Sequence, residues 1–139
     1  MKTLLLILLT TIATAQSQFR FNTKETGNLG LIAGFNTVGV EIEYSGTICA
    51  RLFVTTRSIG GAIGVNFTSC MYEKFIYYTA LRLHKKIDIA LPIAGLEAGV
   101  NYKLTEKLFI GLRGAYDLKT EQNKTTITPD GFVKLGFIF

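Results

Sequence analysis

The side chains able to do chemistry are few and scattered. Two cysteines, Cys49 and Cys70, and one histidine, His84, make up the whole set of soft metal ligands. A structural zinc site takes four such ligands, so no metal and no cofactor is expected. A lipid- or ester-cleaving enzyme needs a nucleophile, a base and an acid that orients the base. Ser58, His84 and Asp88 are the residues that would compose such a set, but no spacing motif joins them, and His84 reads as a surface histidine. "GLRG" lacks the strand-to-helix context of a phosphate loop. The chain therefore reads as non-enzymatic, with no catalytic residue.

The charged residues are more informative. Glu41, Glu43, Arg51, Glu97, Arg113 and Lys134 each sit in short apolar runs: "VEIEY", "CARLF", "AGLEAGV", "GLRGA" and "FVKLGF". A charge that replaces one residue of an alternating apolar run faces away from its neighbours. Six such charges of both signs imply a common polar face, and paired charges are how a narrow interior tolerates ionised groups. They would plug a lumen or line a pore.

The elements that must carry these residues are strands. Apolar and polar residues alternate in twos, between clusters of Gly, Asn, Ser, Thr and Lys. Eight strands are expected over 28–36, 38–45, 47–57, 62–70, 74–84, 90–103, 107–117 and 131–139. Pro92 lies in the sixth, where a bulge or loop is expected up to Gly95. Turns at Asn36-Thr37, Ser45–Thr47 and Ile59-Gly60 place Leu31 opposite Ile42, Glu41 opposite Arg51 and Cys49 opposite Cys70. Across "MYE", Phe67 falls opposite Tyr77 and Asn66 opposite Tyr78. Across "LTEK", Glu97 falls opposite Arg113. In the last hairpin Leu112 falls opposite Leu135, with Lys134 beside Arg113. The Cys49–Cys70 register leaves two readings, a disulfide or two interior thiols.

One face is then apolar throughout, and the other holds the charges with Gly30, Gly34, Gly39, Gly64, Gly95, Gly99, Gly111 and Gly136. Glycine weakens a strand unless space is tight. The lumen of a small closed barrel is such a place. A polar face crowded by glycine thus belongs inside and the apolar face outside, the inversion that a membrane barrel shows.

The first residues give the compartment. "MKTLLLILLTTIATAQSQ" opens with Lys2, runs apolar from Leu4 and reaches Ala13-Thr14-Ala15, the order of a secretory signal peptide. The apolar run is shorter than the roughly 20 residues of a spanning helix. Residues 1–15 are expected to be cleaved, 16–27 to form a polar periplasmic lead-in, and 28–139 to form the barrel. The chain carries 15 Lys and Arg against 10 Asp and Glu. The cations are spread along it, which speaks against a nucleic-acid partner.

In these features the chain resembles small bacterial outer-membrane β-barrels of the eight-stranded OmpA/OmpX type. The stretch "AGLEAGVNYKLTEKLFIGLRGAYDL" is similar to a strand-turn-strand of porin-family barrels from Bacteroidetes-type bacteria. The resemblance implies an all-β, eight-stranded antiparallel up-and-down transmembrane β-barrel in the outer membrane. It implies outer-membrane lipid and the barrel-assembly machinery as partners. Val133, Leu135, Phe137 and Phe139 match the alternating C-terminal signal that this machinery reads in the family. The chain departs from the family in having no Trp; Tyr44, Tyr102, Tyr116 and Phe35 would supply the interfacial anchors. The expected role is envelope structure, or recognition and adhesion through a surface ligand at the outer loops. "LKTEQNKTTITPD", the longest connection, is the expected contact. The alternatives are a narrow pore and a soluble, lipocalin-like barrel holding an apolar ligand. N-terminal sequencing of the exported protein should begin at Gln16; a mature chain that retains Met1 would refute the cleavage.

Overall fold

The computed structural model of the protein describes residues 19–139, and the expected signal segment lies outside them. The alternating runs form nine strands: β1 (Phe19–Phe21), β2 (Thr26–Gly34), β3 (Thr37–Ser45), β4 (Ile48–Thr55), β5 (Ser58–Ser69), β6 (Phe75–Lys86), β7 (Ile93–Lys103), β8 (Leu108–Glu121) and β9 (Lys124–Ile138). From β2 to β9 each strand pairs antiparallel with the next, and β9 returns to β2 from Asn28 opposite Ile138 to Gly34 opposite Phe132. Over the described residues the protein is all-β, an eight-stranded antiparallel up-and-down barrel. Pairing of the first strand with the last removes the free edges that an open sheet would expose.

The lower rim holds the β3–β4, β5–β6 and β7–β8 turns together with Thr26 and Phe139. The upper rim holds the β2–β3, β4–β5, β6–β7 and β8–β9 connections. The lead-in is not featureless: it supplies β1 and the start of β2. β1 pairs with β5 from Phe19 opposite Ser69 to Phe21 opposite Phe67. It takes up the edge of β5 below Val65, the last residue to which β4 pairs.

The faces follow the expected parity, and the registers mostly do not. Asn66 opposite Tyr78, and Phe67 opposite Tyr77, are as expected. The first hairpin turns at Phe35-Asn36 instead of Asn36-Thr37, so Leu31 lies opposite Val40. Asn36 takes the left-handed backbone, φ 51°, which Asn tolerates and β-branched Thr resists. The second hairpin sets Glu43 opposite Arg51, and Glu41 faces Phe53 instead. The third turns at Thr56-Arg57, where the Thr55 hydroxyl accepts from the Ser58 N–H at 2.9 Å. Cys49 therefore lies opposite Gly64 and not Cys70. In the last two hairpins Gly99 faces Arg113, and Leu112 faces Val133. The expected break at Pro92–Gly95 is a loop ahead of β7, and from Ile93 the alternation is regular.

The expected connection "LKTEQNKTTITPD" is largely strand. β8 and β9 continue to Glu121 opposite Lys124. Gln122 and Asn123 both have positive φ, 44° and 66°, as a two-residue primed turn requires. The polar composition suggests a loop, but its threonines favour strand. This hairpin rises above the wall, because β7 pairs with β8 no further than Leu118 and β2 with β9 no further than Phe132.

Two kinds of glycine emerge. A Cβ on Gly136 would strike the Phe109 ring inside the barrel, whereas one on Gly114, on the outward face, would meet nothing within 4 Å. Gly136→Val should destabilise the fold by about 1–3 kcal/mol through overpacking. Gly114→Val should be neutral or stabilising, since valine suits a strand. Urea unfolding of the refolded protein checks both; equal losses would place the two glycines in the same surroundings.

Candidate functional site

The lumen gathers the charges. Their side chains arrive there because each occupies an inward position of its strand, and closure brings together strands that are distant in sequence. Glu41 on β3 is the hub of the middle layer. Arg113 on β8 donates to its Oε2 at 2.5 Å, and Lys134 on β9 donates to its Oε1 at 2.6 Å. Lys134 also donates to Glu43 at 2.9 Å. Arg51 lies 2.8 Å from Glu97 and 3.6 Å from Glu43. Glu97 faces three guanidinium groups, with Arg113 at 3.8 Å and Arg82 at 4.0 Å. All six expected lumen residues are buried and belong to this one network. The expected Glu97–Arg113 pair is present at 3.8 Å, although the two are not directly opposite, whereas the expected Glu41–Arg51 pair gives way to contacts of Glu41 with Arg113 and Lys134.

Aromatic rings pack between the cations. The Arg51 guanidinium sits 4.2 Å from the Tyr78 ring centre, Arg113 4.9 Å from Phe132, and the Lys134 ammonium 4.9 Å from Phe109. Such contacts help a desolvated cation. Below this layer Asn66 donates to Ser45 at 2.8 Å, and Asn28 donates to Glu43 at 3.2 Å. The cavity bounded by Asn28, Ser45, Ile76, Asn101 and Phe109 measures about 10 Å³, at the lower limit of space for one water.

A second cluster lies above. Arg82 on β6 makes a two-pronged contact with Asp117 on β8, at 2.8 and 2.6 Å, and reaches Asp130 on β9 at 2.7 Å. His84 Nε2 lies 3.0 Å from Asp117. His84 is thus a lumen residue, only 3% exposed, and not a surface histidine. Its position opposite Gly60 explains this, since a Cβ on Gly60 would overlap the His84 backbone and Cβ. Arg82, Asp117 and Asp130 are additions to the expected set. Their signal was present: Arg82 and His84 alternate with Leu81 and Leu83, and Asp117 continues the inward series from Arg113 and Ala115.

Both cysteines are free thiols. Cys49 is buried in the lumen, within 3.9 Å of Arg51. Cys70 is exposed in the β5–β6 turn at the lower rim. The disulfide reading is corrected by the register of the third hairpin. Among the described residues no group of three His, Cys, Asp or Glu is placed to hold a metal ion. No protein-family model matches the chain, and no curated protein is significantly similar to it in sequence.

The arrangement fills the barrel. Each lumen charge faces an opposite one, and the network runs from His84 through Asp117, Arg82, Glu97 and Arg51 to Glu43, Lys134, Glu41 and Arg113. Glu41→Ala should cost about 3–5 kcal/mol, because it leaves Arg113 buried without its hydrogen-bond acceptor and Lys134 with Glu43 alone. Glu41→Leu combined with Lys134→Met should recover part of that loss. Equilibrium unfolding of the single and double variants checks this; additive losses would deny the coupling.

Proposed function

We propose that the chain is a small, non-enzymatic outer-membrane barrel with a filled lumen that presents its upper hairpin to partners. The observation that carries this reading is the outward face. Between the rims, the outward positions of β2 to β9 hold no charged side chain, and Lys85 enters only at the top of β6. Leu31, Leu52, Leu81 and Leu112 stand out from the wall, each more than half exposed. Soluble monomers rarely expose contiguous apolar patches beyond a few hundred Å². An apolar band around a polar interior suits a bilayer.

The rims support the same reading. Phe19, Phe75, Tyr77 and Tyr102 cluster at the lower rim, with ring centres 4.8 Å apart for Phe75 and Tyr102 and 5.4 Å for Phe19 and Tyr77. Tyr116 and Phe35 stand toward the upper one. Together they take the interfacial place that Trp has in other barrels. The β8–β9 hairpin, which stands above the wall, would face the outside, and the lower rim the periplasm. Val133, Leu135 and Phe137 point outward on β9. Phe139 is tied to Gly27 by two backbone hydrogen bonds, at 2.8 and 3.2 Å. This is the strand that the assembly machinery would read. The lumen residues argue for structure over conduction, and a lipocalin-like carrier would need the apolar face inside. The recognition surface is the polar hairpin around Gln122-Asn123, held on a rigid barrel.

Membrane fractionation with unboiled and boiled electrophoresis tests the reading. The chain should appear with the outer membrane and migrate differently when unheated; a chain soluble without detergent would overturn it. Leu112→Arg should weaken folding into bilayers by about 2–4 kcal/mol if the site lies near the midplane. An effect no larger than that of a rim substitution would move Leu112 out of the hydrocarbon.

A further inference from the structure

Folding brings Arg57 to the upper rim beside Lys85 and Lys86, a pair distant from it in sequence. Arg57 lies in the β4–β5 turn, and Lys85 and Lys86 end β6. Ile59 lies opposite Lys85, Ser58 lies opposite Lys86, and the Ile87 N–H donates to the Arg57 carbonyl at 2.9 Å. Among the described residues, no carboxylate lies within ion-pair distance of any of the three. Asp88, on the adjoining loop, is the acid nearest to them along the chain. That loop is otherwise apolar, with Ile87 74% and Leu91 64% exposed.

Directly below, the outward face carries a groove of about 930 Å³. Leu52, Leu81 and Leu83 line it together with the small residues Ala50, Gly61 and Ala94, and its far end reaches Tyr44 and Phe139 at the lower rim. Lys85 is the next outward residue above Leu83 on β6, and Ile59 the next above Gly61 on β5. The groove therefore opens under the cations.

We infer that this rim and groove form a site for a phosphate-bearing lipid. The phosphate is held by Arg57 and the outward Lys85, with Lys86, on the inward series of β6, adding positive charge behind them, and one acyl chain lies in the groove. The inference rests on the membrane-spanning reading above. Guanidinium and ammonium groups both bind phosphate, the first as a fork and the second as a point charge. Ile87 and Leu91 would bury themselves among headgroups and acyl chains beside it. Charge complementarity selects the occupant, because an unpaired basic cluster at a bilayer surface favours an anionic lipid over a neutral one.

The test uses the mature chain in phosphatidylcholine nanodiscs containing either phosphatidic acid or diacylglycerol with the same chains. Native mass spectrometry counts the lipid retained after release. The wild type should retain phosphatidic acid in preference to diacylglycerol. The triple variant Arg57→Ala, Lys85→Ala, Lys86→Ala should lose about fivefold in retention per charge removed. Ala94→Phe, which fills the groove and leaves the cations in place, should also reduce retention. Equal retention by the wild type and the triple variant would overturn the site. Displacement of the lipid by inorganic phosphate alone would overturn the role of the groove. The unboiled gel shift of the same samples separates the two levels. A chain that inserts but shows no lipid preference refutes this site alone, and a chain that does not insert refutes both.

Discussion

The contact of Glu41 with Arg113 and Lys134 is the constraint around which the barrel is organised. The Glu41 side chain has no solvent exposure, and both cations beside it are nearly as buried. A carboxylate in that position costs several kcal/mol unless opposite charge and hydrogen bonds replace its water. Both cations come from strands far along the chain, β8 and β9, while Glu41 sits on β3. The contact is complete only when β9 has closed on β2, so the closed state is the one in which the central charges are satisfied. The same logic extends outward, to Glu43 and Arg51 on one side and to Arg82, Asp117 and His84 above.

The character of the exterior follows from that of the interior. Every strand charge between the rims turns inward, which leaves the outward positions to uncharged residues: Leu, Ile, Val, Phe, Tyr, Ala and Gly, with Thr79 on β6. An eight-stranded lumen is only wide enough for side chains. It takes long Arg, Lys and Glu side chains and aromatic rings only because glycines stand opposite them: Gly136 under Phe109, Gly60 beside His84. The outward Gly114 has no such neighbour within 4 Å, so it shapes the surface and leaves the core unaffected. The interior sets its own charges against one another, and in the function proposed above the surface left for partners is the tall β8–β9 hairpin and the basic upper rim.

Much of this was legible from residue spacing. Alternation reports which face a residue occupies, and a register shift of two leaves that face unchanged. Glu41, Glu43, Arg51, Glu97, Arg113 and Lys134 could therefore be assigned to one side although several of their expected partners were wrong. Glu41 paired across the lumen and not with Arg51. Cys49 met Gly64, because Gly60 serves as packing space for His84 and the chain turns earlier, at Thr56-Arg57. A glycine between two strands can mark a turn or make room for a bulky neighbour, and spacing does not separate the two. The β8–β9 hairpin was hidden for another reason: its threonines are polar, as loop residues are, and also strand-forming.

The sequence by itself determined the strand content, the two faces and the residues that carry charge to the interior, because a period of two is a local property of the extended backbone. Tertiary structure alone decided which charges touch, that both thiols stay free, that His84 is buried, and that Arg57 shares a rim with Lys85 and Lys86. Those outcomes depend on register and closure. Register is set by turns whose geometry rests on single residues, and closure brings together side chains from strands that no local pattern relates.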